Sequence, residues 1–137
     1  HTRRRAAPTE RLSDRATWAA RRALNDAGVD PYDIDLVLVA TMSQDEITPN
    51  TAPLVAHELG AERAGAMDIG AACSGFLAAL RMAAGQIETG DLRPLAISSA
   101  ERLTGNQASG FSAATSLKRA QSSAIRSKGT FRPIARW

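Results

Sequence analysis

Leu12, Ala16, Ala19, Ala20, Ala23 and Leu24 recur at the spacing of one helix face, and Gly28 follows where a helix needs a left-handed stop. With Ser13 as its cap, the spacing predicts a helix over Ser13 to Ala27. After the turn-forming pair Asp30-Pro31, the run Leu36-Val37-Leu38-Val39-Ala40 is short, continuous and partly β-branched, the pattern of a strand covered on both faces in a parallel sheet. Asn50 then serves as the cap of a second helix with Pro53 in its first turn, Leu54, Val55 and Leu59 as its apolar stripe and Gly60 as its end. Ala64 to Ile69 reads as a short buried strand, Ser74 to Thr89 as a third helix stopped by Gly90, and Leu95 to Ser98 as another strand. Helix, strand, helix, strand, helix, strand is the order of an α/β layer built with right-handed crossovers. Beyond Glu101 the periodicity dissolves into Thr, Ser, Gln, Gly and basic residues, which predicts a flexible or poorly packed tail over residues 102 to 137.

Composition narrows the classes. The chain has 137 residues, 44% of them hydrophobic and 4% aromatic, enough for one domain with a core of Ala, Leu, Val and Ile and too few for a two-domain enzyme. No apolar run approaches the roughly 20 residues of a membrane span, and the Arg-rich start lacks the apolar stretch of a signal peptide; the expectation is a soluble, cytoplasmic protein that does not engage membranes. The net charge of +3 suggests nucleic acid until it is divided along the chain. From His1 to Glu101, 10 Lys/Arg face 14 Asp/Glu, a net −4, whereas Arg102 to Trp137 carries 7 Lys/Arg and no acid. The basic character belongs to the tail, where Phe111, Phe131 and Trp137 are the only aromatics and no binding module surrounds them, so no nucleic-acid partner is expected.

The single cysteine is the chemistry-bearing feature. Cys73 excludes an internal disulfide, and no Cys/His cluster has metal-ligand spacing, so no metal is expected. The segment Met67-Asp68-Ile69-Gly70-Ala71-Ala72-Cys73-Ser74-Gly75-Phe76 sets the thiol between a strand and a helix start, where unpaired N–H groups and the helix dipole favour thiolate over thiol. Gly70, Ala71, Ala72 and Gly75 leave room for a thioester to approach the backbone, and Phe76 is placed to shield it. A lone cysteine among alanines is also the ordinary pattern of a small buried hydrophobe, and spacing alone favours that reading.

The segment Asp68 to Phe76 resembles the nucleophile signature of the β-ketoacyl-acyl carrier protein synthase III family, and Thr48-Pro49-Asn50-Thr51-Ala52-Pro53 resembles the segment that precedes it there. Arg3 to Pro8, the helix from Leu12 to Ala27 and the strand from Asp35 to Thr41 are similar to the family's early region. The resemblance runs from about His1 to Glu101 and implies an incomplete, thiolase-like layered α/β fold, the N-terminal half of a condensing enzyme of fatty acid or polyketide biosynthesis. It implies that Cys73 accepts an acyl group from acyl-CoA, that malonyl-acyl carrier protein is then decarboxylated to attack the acyl-enzyme and give a 3-oxoacyl thioester, and that the backbone N–H of Cys73 forms part of an oxyanion hole. Acyl-CoA and acyl carrier protein are the implied substrates and partners, a homodimer the implied assembly of the intact family, and no cofactor is held permanently; cofactor-binding residues are not identified.

The family's His and Asn belong to its second half. His1 and His57 do not match them; His57 is expected as an ordinary surface or boundary histidine and His1 as a frayed terminus. The tail departs from the family where a Gly-Asp-Gly-rich turn is due. A GC-rich back-translation of Gly110 to Ala124, read two bases out of step, permits the reading Leu-Leu-Gly-Gly-Asp-Val-Ala-Gln-Ala-Gly-Ala-Val-Val-Arg, close to that segment, so a frameshift near residues 102 to 109 is an expectation that the gene's nucleotide sequence tests. A catalytically inactive remnant with at most an interaction role, and an unrelated α/β binding module with a structural cysteine, stand as alternatives. Exposed apolar surface on an isolated half predicts association or low solubility.

Overall fold

The computed structural model describes residues 9–90, 95–100 and 112–117. Strand β1, Leu36–Ala40, lies inside a four-stranded sheet of order β2-β1-β3-β4, where β2 is Gly65–Ile69, β3 Leu95–Ala100 and β4 Ser112–Leu117. β1 runs parallel to both neighbours, Leu36 opposite Gly65 on one side and Leu95 on the other. β4 closes the far edge antiparallel to β3, with Leu95 opposite Leu117 and Ala100 opposite Ser112.

The period-two alternation of β1 splits its side chains between two cores. Val37 and Val39 join Ala96 of β3 beneath α1, Leu12–Ala27, and α2, Thr51–Leu59. Leu38 and Ile97 face α3, Gly75–Thr89, through Ala79, Leu80, Ala83 and Ile87. A parallel sheet with helices on both faces is the expected α/β architecture, and it explains why β1 lacks alternation: all of Val37 to Ala40 is buried. The chain moves from β1 to β2 in one direction and from β2 back across β1 to β3 in the other. Crossovers of one hand therefore place α2 and α3 on opposite faces, as observed.

Three expectations are corrected. Neither Ser13 nor Asn50 caps a helix with its side chain: Arg11 and Asn50 occupy the cap positions without side-chain cap bonds, and carboxylates distant in sequence supply the acceptors. Asp45 accepts from the Leu12 N–H at 2.9 Å, the Ser13 N–H at 2.8 Å and the Ser13 hydroxyl at 2.9 Å. β2 is an edge strand, with Gly65 and Met67 exposed and the rest half-buried, because β1 covers only one of its sides. Residues 112–117 form a strand although their Ser/Ala/Thr sequence has no apolar alternation; the ladder with β3 supplies what the side-chain pattern lacks. The rest of the tail, its aromatic residues and the segment Arg3 to Pro8 lie outside the described residues.

Candidate functional site

Cys73 sits in a 3-10 turn, Ala72–Ser74, between the end of β2 and the first residue of α3, and it is exposed. The turn is fastened by Ser74, whose N–H donates to the Ala71 carbonyl at 3.1 Å and whose hydroxyl donates to the same oxygen at 2.8 Å. Ala72 adopts φ 43°, the only positive φ among the described non-glycine residues. An L-residue there pays a steric cost, and such residues persist where the surroundings over-determine the backbone. The arrangement is a sharp elbow that presents a thiol at the N-terminal end of a 15-residue helix, whose first N–H groups have no partner within the helix.

Close packing holds the elbow from both sides of the sheet. A Cβ on Gly75 would lie 3.1 Å from the Ala40 Cβ, tighter than ordinary contact, so glycine lets the start of α3 seat directly on β1. The Thr41 N–H donates to the Ile69 carbonyl at 3.2 Å, carrying the β1–β2 pairing one step beyond β1. On the opposite face, Asp68 accepts from the Thr51 N–H at 2.9 Å and the Ala52 N–H at 2.5 Å, tying β2 to the start of α2.

Of the residues named from sequence, Gly70, Ala71 and Ala72 flank Cys73 as expected, with Gly70 and Ala72 exposed. Phe76, the second residue of α3, packs half-buried against the core around Leu38 and Leu80, and Cys73 is exposed. His57 is exposed in the last turn of α2, as a surface histidine. Among the described residues no group of three or more His, Cys, Asp or Glu stands together to hold a metal, and no helix is long and apolar enough to cross a membrane. Sequence reasoning gave no role to Asp68, although a charged residue inside a run read as a buried strand requires a partner, and that signal was available.

Residues 2–129 match the family described as Thiolase, N-terminal domain. The β-ketoacyl-acyl carrier protein synthase III of Streptomyces lividans is 47% identical over 103 residues, 75% of this chain and 30% of that protein, and the Clostridium perfringens (strain ATCC 13124) enzyme of the same name is 44% identical over 95 residues, 69% of this chain and 29% of that protein. Among solved structures, the priming β-ketosynthase of the R1128 polyketide pathway superposes with a TM-score of 0.72 at 47% identity, covering 74% of this chain and 30% of that one. The 3-oxoacyl-acyl carrier protein synthase III of Aquifex aeolicus superposes with a TM-score of 0.71 at 40% identity, covering 74% and 33%. The chain thus spans about a third of the length of the relatives it matches. With its helices, parallel strands and glycine-seated elbow, the chain belongs to the thiolase family, as an N-terminal thiolase domain of the β-ketoacyl-acyl carrier protein synthase III kind.

Proposed function

We propose that Cys73 is the acyl-accepting nucleophile of a condensing enzyme. The observation that carries this reading is an exposed thiol on a strained turn at the start of α3, in a chain 47% identical to a β-ketoacyl-acyl carrier protein synthase III. In the thiolate form Sγ attacks the carbonyl carbon of an acyl-CoA thioester; a new C–S bond forms, the tetrahedral oxyanion collapses, and coenzyme A leaves as its thiolate and takes up the proton. Backbone N–H groups at the elbow are the donors at hand for the oxyanion. Exposure of Cys73, Gly70 and Ala72 leaves a thioester free to approach this side of the turn.

The later steps belong to the same reading. Malonyl-acyl carrier protein loses carbon dioxide, its carbanion attacks the acyl-enzyme, and Cys73 leaves as thiolate from the 3-oxoacyl product. Acyl-CoA and acyl carrier protein are the proposed partners, fatty acid or polyketide synthesis the proposed setting, and a homodimer the proposed assembly, in a protein carrying the remaining length of the relatives.

Intact-protein mass spectrometry after incubation with short acyl-CoA donors tests the first step. The expected result is a mass increase of one acyl group that Cys73→Ala abolishes. An unmodified thiol on folded chain would favour the non-catalytic reading, in which the domain keeps the fold and at most an interaction surface.

A further inference from the structure

Two carboxylates perform the same local task in this chain. Asp45, in the loop between β1 and α2, caps α1, and Asp68, on β2, caps α2. What differs is the segment each carboxylate anchors on its own side. Asp68 shares the α1/α2 face of β2 with Ala66, whereas Ile69 faces the α3 core. Directly after Asp68 the chain must cross the end of the sheet to reach α3 on the other face. The crossing is fixed at its start by the Asp68 cap and the Ile69–Thr41 bond, and at its end by Gly75 against Ala40. Residues 69–74 have to span that gap, and Ala72 takes its positive φ within it.

We propose that Asp68 is a positioning residue for Cys73: by fastening β2 to the start of α2, it holds the elbow in the strained form that presents the thiol at the head of α3. Its consequence for acyl transfer rests on the function proposed above; its effect on the thiol does not. Loss of the cap frees β2 to shift, Ala72 relaxes out of the left-handed region, and Sγ leaves its place at the helix terminus.

The test uses the full chain and three variants, Asp68→Asn, Asp68→Glu and Asp45→Asn, with three readouts: urea midpoint, rate of Cys73 alkylation by iodoacetamide, and rate of acyl-adduct formation from acyl-CoA. Asp45→Asn breaks an equivalent cap from a carboxylate whose own segment, the loop between β1 and α2, does not lead into the Cys73 elbow, so it reports what lost capping alone does. Both Asn variants should lower the urea midpoint to a similar degree. Asp68→Asn should slow alkylation and acylation by on the order of tenfold or more, within the range that a misplacement of about 1 Å produces. Asp45→Asn should leave both rates within about twofold of the parent, and Asp68→Glu, which keeps a carboxylate one methylene further out, should fall between parent and Asn. If Asp68→Asn does not fold, the Glu variant decides by the same comparison. Equal alkylation rates in the folded Asp68 and Asp45 variants would overturn the proposal. An alkylation effect in a chain that no acyl-CoA modifies would keep the positioning role and defeat the acyl-transfer reading instead.

Discussion

At the scale of single residues, the site depends on backbone positions more than on side-chain chemistry. Cys73 was legible from sequence because its neighbours form a motif, but nothing in the letters distinguishes Ala72 from Ala71, and only Ala72 takes a left-handed φ. Glycine at that position removes the left-handed cost of about 1–2 kcal/mol and adds about 0.4–1 kcal/mol of unfolded-chain entropy. Ala72→Gly should therefore stabilise the chain modestly, by about 0.5–1 kcal/mol in urea unfolding, whereas the β-branched Ala72→Val should destabilise it by more than that. A destabilising glycine would show that the positive φ carries no strain. Gly75 presents the opposite case. Its φ of −55° suits any residue, so its requirement is space against Ala40 and not conformational freedom. That distinction needs the tertiary neighbour, so no local reading of the sequence contains it.

Elements were legible to within a residue or two where a helix stripe or apolar run was long, as in Leu12–Ala27 and Leu36–Ala40, because burial of one face fixes their period. Their caps were not, since a local motif was expected and Asp45, more than thirty residues away, does the work at α1. The sequence also hides sheet order, so the edge position of β2 and the pairing of β4 appear only with the neighbours in place. Charge contacts at α1 differ in weight. Asp45 is largely buried, with its side chain 8% exposed, and satisfies two helix N–H groups; Arg11, 49% exposed, pairs with Glu46 at 2.7 Å in solvent. Asp45→Ala should cost about 1–2 kcal/mol, the worth of a lost cap with its donors left unsatisfied. Arg11→Ala should cost less than about 0.5 kcal/mol, as exposed ion pairs do. Urea unfolding of the two variants checks the order, and a larger loss for Arg11→Ala would reverse the assignment of what holds α1 in place.

Across the whole molecule, the two faces of the sheet are unequally covered. α1 and α2 share one core and are further joined by the Arg21 guanidinium donating to the Glu58 carbonyl at 2.7 Å. Among the described residues the opposite face carries α3 alone over a smaller core, and there Leu77, Met82 and Met67 are exposed at 64%, 41% and 41%. Regional stability follows buried apolar contact, so the face with one helix opens at lower free energy than the face with two. Native-state hydrogen exchange should show the α3 amides from Ala79 to Ile87 exchanging through a partial opening while α1 and β1 exchange only with global unfolding. Ile87→Ala, fully buried in the smaller core, should widen that gap, because it weakens α3 without touching the core of α1 and α2. Uniform protection across α1, β1 and α3 would mean that the sheet couples both faces into one cooperative unit. The outcome bears on the chemistry, since Cys73 stands in the turn directly before α3: a helix that opens independently releases the Gly75 seat on Ala40, and the elbow then keeps its ties on the β2 side, the Asp68 cap of α2 and the Ile69–Thr41 bond.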